Sequence, residues 1–180
     1  MKLIEIYKDS FGIEIDLKYA SNDNITGEKI FLENRCLLIE EAAIKLKKAI
    51  LIAKELDLSF KIYDAYRPSY VQQALWSFDP NPNFLTNPAK GSPHTKGIAI
   101  DLTLIDLKGK ELDMGTKFDD FTEKAYHLSR SIDKQVRLNR YMLLSIMTLA
   151  GFDHYLNEWW HYQLFDSSKY SLINDISNIS

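Results

Sequence analysis

The chain of 180 residues is 46% hydrophobic, 26% charged and 12% aromatic, which excludes a disordered polymer and a membrane bundle and fits one domain with its own core. A net charge of -3 argues against nucleic acid or an anionic membrane as the main partner. The single cysteine, Cys36, excludes an internal disulfide and points to a reducing compartment.

Near the N-terminus Glu5, Asp9, Glu14 and Asp16 break every apolar run, which is unlike a secretory leader, so a cytoplasmic protein without a membrane partner is expected. Next, residues 34–56 carry Leu38, Ala42, Leu46, Ala49, Ala53 and Leu56 at steps of three and four. This predicts an amphipathic helix with Asn34 as its N-cap and an exposed Glu41–Lys45 pair. Alternation of Phe60 and Ile62 with Lys61 and Tyr63 predicts a strand, and Pro68 opens a second helix over about 69–78. All five prolines lie between 68 and 93, and the stretch DPNPNFLTNPAKGSP (79–93) reads as a long working loop.

GIAIDLTLID (97–106) predicts a strand with Ile98, Ile100, Leu102 and Leu104 on one face and Ala99, Asp101 and Thr103 on the other. Residues 122–150 read as helix with a break near Ser129, stopped by Gly151, and 159–165 read as a last strand. The order of elements predicts an α+β fold of a single domain (1–180), an antiparallel sheet with helices mainly on one side.

The residues able to do chemistry are few. Asp101 interrupts an apolar strand, where a carboxylate is costly unless it is paired or bound to a cation; the plainer alternative is an edge strand with Asp101 facing water. His161 sits in EWWHY, three residues after Glu158. Sharing one site requires Glu158 at the mouth of the strand or on a bulge, and the alternative is a histidine packed in an aromatic ladder. His94 precedes the 99–106 strand, with Gly97 offering a turn between. Taken together, His94, Asp101 and His161 make a three-ligand set with a fourth position free, as hydrolytic zinc sites require, with Glu158 as the general base. His127 and His154 read as packed or surface residues, and Trp76, Trp159 and Trp160 as core.

SPHTKGIAID (92–101) resembles the Ser-x-His-x-x-Gly-x-Ala-x-Asp signature of the D-alanyl-D-alanine dipeptidases, the zinc enzymes of vancomycin resistance. EWWHY (158–162) resembles their Glu-x-x-His signature. YDAYRP (63–68), MGTKFD (114–119) and LKYASNDNITG (17–27) are similar to three further blocks, in order along the chain. The resemblance implies a fold shared with D,D-carboxypeptidases and the hedgehog signalling domain. It implies one bound zinc ion on His94, Asp101 and His161, and Glu158 as catalytic base. It further implies Arg67 as the oxyanion stabiliser, Asp119 as the partner of the substrate's ammonium group, and Ser92 and Tyr19 as substrate contacts. The implied substrate is D-Ala-D-Ala or a similar small D,D-dipeptide. Two alternatives stand beside it: a carboxypeptidase or endopeptidase acting on longer stem peptides, and a zinc-binding module without turnover. The loop between Trp76 and Ser92 is shorter than in the resistance-type enzymes, which implies a more open site.

Overall fold

A computed structural model describes residues 2–173. In chain order the elements are β1 (Leu3–Glu5), α1 (Lys8–Phe11), β2 (Glu14–Ile15), β3 (Leu37–Ile39), α2 (Glu40–Lys54), β4 (Leu58–Asp64), α3 (Ser69–Phe78), β5 (Ala99–Asp106), α4 (Lys134–Ala150), β6 (Asp153–His154) and β7 (His161–Gln163). The main sheet has the order β2-β4-β5-β7-β6, and β1 pairs with β3 in a small second sheet. The fold is α+β, as expected. The sheet departs from the expectation at one edge, where β2 runs parallel to β4; the other pairs are antiparallel.

The predicted helix 34–56 begins six residues too early and ends two too late. The apolar run Leu37–Ile39 pairs with β1, so α2 begins at Glu40, and Asn34 is no cap: its backbone is left-handed (φ 49°). Ala42, Leu46, Ala49 and Ala53 are buried as the spacing required, and Glu41–Lys45 forms the exposed ion pair. Burying an aliphatic side chain such as Leu46 contributes roughly 1.5–3 kcal/mol. The helix α3 matches its predicted range, whereas 122–133 is not helix beyond a single 3-10 turn at Glu123–Ala125. Gly151 caps α4 in a left-handed conformation (φ 103°). Among the described residues no helix is long and apolar enough to cross a membrane.

The strand β5 lies between β4 and β7, so it is not an edge, and every residue from Ala99 to Ile105 is buried. A carboxylate at Asp101 is therefore deep in the sheet rather than facing water. The register aligns Asp101 with His161 on β7 on one side. On the other side it aligns Asp101 with Asp64 on β4, across a bulge between Ile62 and Asp64. Side chains alternate along a strand, so without the extra residue Asp64 would share the face of Phe60 and Ile62. The bulge turns it to the face of Asp101 and His161 instead. Three adjacent strands thus place Asp64, Asp101 and His161 in one row.

Gly97 ends the turn that carries His94. Its backbone is left-handed (φ 69°), and a Cβ there would lie 2.9 Å from Leu3 Cδ2 and 3.2 Å from Ile39 Cγ2. Gly97→Ala is expected to cost about 1–2 kcal/mol from backbone strain alone, read as a lowered midpoint in urea denaturation.

Candidate active site

His94 enters from the 3-10 turn His94–Lys96, Asp101 from β5, and His161 from the first position of β7. All three are buried, and one ligand atom from each lies within 4.8 Å of the others. His94 Nε2 is 3.1 Å from His161 Nδ1, and the Asp101 carboxylate is 3.3 Å from the first and 3.1 Å from the second. The outer ring nitrogens have their own partners. His94 Nδ1 donates to the Ala65 carbonyl at 2.7 Å, and His161 Nε2 donates to Gln163 Oε1 at 3.0 Å. Those bonds select the tautomers that turn both inner lone pairs toward Asp101.

Glu158 lies in the turn before β7, at the mouth of the strand as the spacing required. Its Oε2 is 3.8 Å from His161 Nδ1, outside the three converging donors. Burial lifts its carboxyl to about 8, against the pull of His161, with Asp101 and Asp119 adding to the rise. Burial also works against the charge on Asp101, but His94 and His161 outweigh it and hold that carboxyl well below the usual carboxylate range.

Arg67 is buried and held by three partners. Its Nε donates to Asp64 Oδ2 at 2.7 Å, its Nη1 to Gln72 Oε1 at 2.9 Å, and its Nη2 points at Asp101 Oδ2, 3.5 Å away. Gln72 is itself fixed by donating to the Thr86 carbonyl at 2.7 Å. The guanidinium lies 4.8 Å over the Tyr19 ring, and the Tyr19 hydroxyl donates to Asp119 Oδ2 at 2.8 Å. Burial raises the Asp119 carboxyl to about 7, with Arg67 and the Tyr19 hydroxyl opposing. Ser92 is buried, and its Oγ accepts from the His94 amide at 3.2 Å, so it also shapes the turn that presents the imidazole.

These side chains line one cavity of about 290 Å³, at the lower end of small-molecule sites. The 79–93 loop roofs it through Pro82, Phe84, Leu85 and Thr86. The roof is latched on two sides: Phe84 stacks on Phe121 with centroids 4.8 Å apart, and Tyr155 Oη and Asn157 Nδ2 each donate to the Asn83 carbonyl at 3.0 Å. The loop thus forms one wall of a cavity that is partly open to solvent. Trp160, read as core, is buried but also lines this cavity. His127 lies apart from His94, Asp101 and His161, buried with its ring edge-on to His154.

Sequence reasoning missed four supports: Asp64, Gln72, Gln163 and Arg140. Arg140 is fully buried on α4 and donates to the Met114, Lys124 and Tyr126 carbonyls at 2.5–3.0 Å. It thereby pins the segment that carries Asp119. Burial lowers its guanidinium to about 10. The i,i+3 spacing of Asp64 and Arg67 was a usable signal for that pair; nothing local marks Arg140 off from a surface arginine.

The model for the peptidase M15 family, described as D-ala-D-ala dipeptidase, matches residues 1–178. The chain is 44% identical to a D-alanyl-D-alanine dipeptidase of Escherichia coli, covering 91% of this chain and 84% of that protein. It is 34% identical to one of Enterococcus faecium and 32% identical to one of Enterococcus faecalis, each covering 86% of this chain and 87% of the relative. The α+β architecture is consistent with the hedgehog-like fold of that family. Matched almost from end to end, the chain belongs to the M15 D-Ala-D-Ala dipeptidases, a family of metallopeptidases.

Proposed function

We propose that this chain is a zinc dipeptidase, one domain over residues 1–180, that hydrolyses D-Ala-D-Ala or a similarly small D,D-dipeptide to free D-amino acids. The observation that carries the reading is the convergence of three groups able to hold a divalent cation. His94 Nε2, His161 Nδ1 and the Asp101 carboxylate face one another at 3.1–3.3 Å, and both outer ring nitrogens already spend their protons elsewhere. Without a proton or a cation between them these three groups repel one another. Against the effect of burial, Asp101 and Glu158 lift His161 to about 9 so that a shared proton can hold the cluster, and a divalent ion takes the same two imidazoles and carboxylate readily. Bound there, zinc would supply Lewis acidity toward the scissile carbonyl and acidify a water molecule. The buried, free Cys36 suits a reducing compartment and supports a cytoplasmic location.

The protein's own groups divide the remaining work. Asp119, steadied by the Tyr19 hydroxyl, holds the substrate's ammonium group, and that contact sets which amide lies over the ligands. Glu158 Oε2 takes the proton of the attacking water and delivers it to the leaving amine. Arg67, locked by Asp64 and Gln72, keeps its Nη2 beside the position where negative charge grows on the carbonyl oxygen. Pro82, Phe84 and Leu85 give the substrate an apolar wall beside these polar groups.

The test pairs elemental analysis with ninhydrin detection of D-Ala. Purified protein is expected to contain zinc and to release D-Ala from D-Ala-D-Ala, to stop after chelation, and to recover on adding zinc back. N-acetyl-D-Ala-D-Ala, which lacks the ammonium group, is expected to be a poor substrate. Equal turnover of the free and acetylated dipeptides would remove the role given to Asp119.

A further inference from the structure

The catalytic cavity has a larger neighbour. A second cavity of about 730 Å³ lies on the other side of the segment that carries Asp119, and Asp119 is the residue that lines both. The partition between them is built from consecutive residues facing opposite ways. Lys18 lines the second cavity and Tyr19 the catalytic one; Trp159 lines the second and Trp160 the catalytic one. Between these pairs stands Phe118. Its ring centroid is 5.9 Å from Tyr19 and 5.5 Å from Trp160 on the catalytic side, and 5.1 Å from Tyr63 on the other. Three aromatic contacts at these separations are each attractive and together fix the ring in place.

We propose that Phe118 is a specificity-determining residue, a plug that ends the substrate cavity at Asp119 and so confines the enzyme to dipeptides. The inference rests on the dipeptidase reading above, in which Asp119 marks the amino end of the substrate. The space behind the plug suits one more residue of a free tripeptide. Its walls carry the carboxylates of Asp23, Glu111, Asp113 and Asp120 against the ammonium groups of Lys18 and Lys117. An amino terminus displaced past Asp119 would therefore still meet a net negative surface. In the wild-type protein the ring lines the second cavity and packs on Tyr19 and Trp160 of the catalytic one, filling the partition an extra residue would need to cross.

The test compares kcat/KM of the zinc-loaded full chain on D-Ala-D-Ala and on Gly-D-Ala-D-Ala, for the wild type, Phe118→Ala and Phe118→Leu. Removing the ring is expected to raise the tripeptide-to-dipeptide ratio by about tenfold or more for alanine, with leucine in between, a size typical of pocket discrimination. Melting temperatures near that of the wild type establish that the variants are folded, and leucine keeps most of the apolar filling should alanine loosen the loop. An unchanged ratio in the folded variants overturns the plug, as does a wild type that cleaves the tripeptide as well as the dipeptide. A zinc-loaded wild type that leaves D-Ala-D-Ala intact overturns the dipeptidase reading and the plug with it.

Discussion

Glu158→Ala is expected to lower kcat on D-Ala-D-Ala by about 10²–10⁴-fold, the usual contribution of a positioned general base, while the protein keeps its full complement of metal. The two halves of this outcome come from one geometric fact. The Glu158 carboxylate is 3.8 Å from His161 Nδ1 and stands outside the cluster of His94, Asp101 and His161. Removing it would delete the proposed proton acceptor and leave His94, Asp101 and His161 in place. The loss should fall on kcat more than on KM, because proton transfer is made in the transition state rather than in substrate binding. Glu158→Gln should lose a similar factor, since the amide keeps the shape and has no basic oxygen. The glutamine variant should also be no less stable than the wild type, because it removes a carboxyl whose burial opposes its charge. Kinetics on D-Ala-D-Ala beside elemental analysis of the same samples reads both halves. Near-normal turnover in either variant would mean that another group takes the proton.

The clustering of His94, Asp101 and His161 was more legible than the scaffolding around it. His94, Asp101 and His161 could be singled out because a carboxylate inside an apolar strand and imidazoles at two strand entrances are expensive features that call for a cation. The β5 strand was legible because Ile98, Ile100, Leu102 and Leu104 alternate cleanly, and α3 because Pro68 marks its start. Asp64 was missed for a physical reason. A bulge adds one residue to a strand without any local composition that announces it, and only the register across β4 and β5 shows that Asp64 has changed faces. The short elements β1, α1 and β2 span two to four residues, too few for any periodicity to emerge. The helix expected over 122–133 failed because apolar residues there serve other partners: Ala125 is buried in a single 3-10 turn, and its carbonyl accepts from the Trp159 amide at 3.1 Å. Arg140 was invisible because its partners are carbonyl groups 14 to 26 residues away, which no spacing rule anticipates.

Arg67→Ala is expected to damage the protein twice, and the two injuries can be separated. Activity should fall by about 10²–10³-fold, the cost of removing one donor aimed at a growing oxyanion. Stability should fall by about 3–5 kcal/mol, the cost of breaking a buried ion pair by deleting one partner. The second loss arises because Asp64 is buried, has Arg67 Nε as its 2.7 Å partner, and has a second oxygen, Oδ1, that finds no hydrogen bond among the described residues. Burial raises the Asp64 carboxyl against the pull of Arg67 and His94, so without the arginine only the His94 ring, its Nδ1 3.4 Å away, still favours the buried carboxylate. Arg67→Lys should recover part of the stability and little of the activity. A single ammonium cannot bond Asp64 and Gln72 in one plane and still direct a third donor toward Asp101, as the guanidinium fork does. The decisive variant is the double substitution Asp64→Asn with Arg67→Ala, which removes the stranded charge along with the arginine. Urea denaturation should show much of the lost stability restored, while kcat on D-Ala-D-Ala stays as low as in Arg67→Ala. Recovery of activity together with stability would mean that Arg67 only holds the fold, and that negative charge on the carbonyl oxygen is stabilised elsewhere in the site.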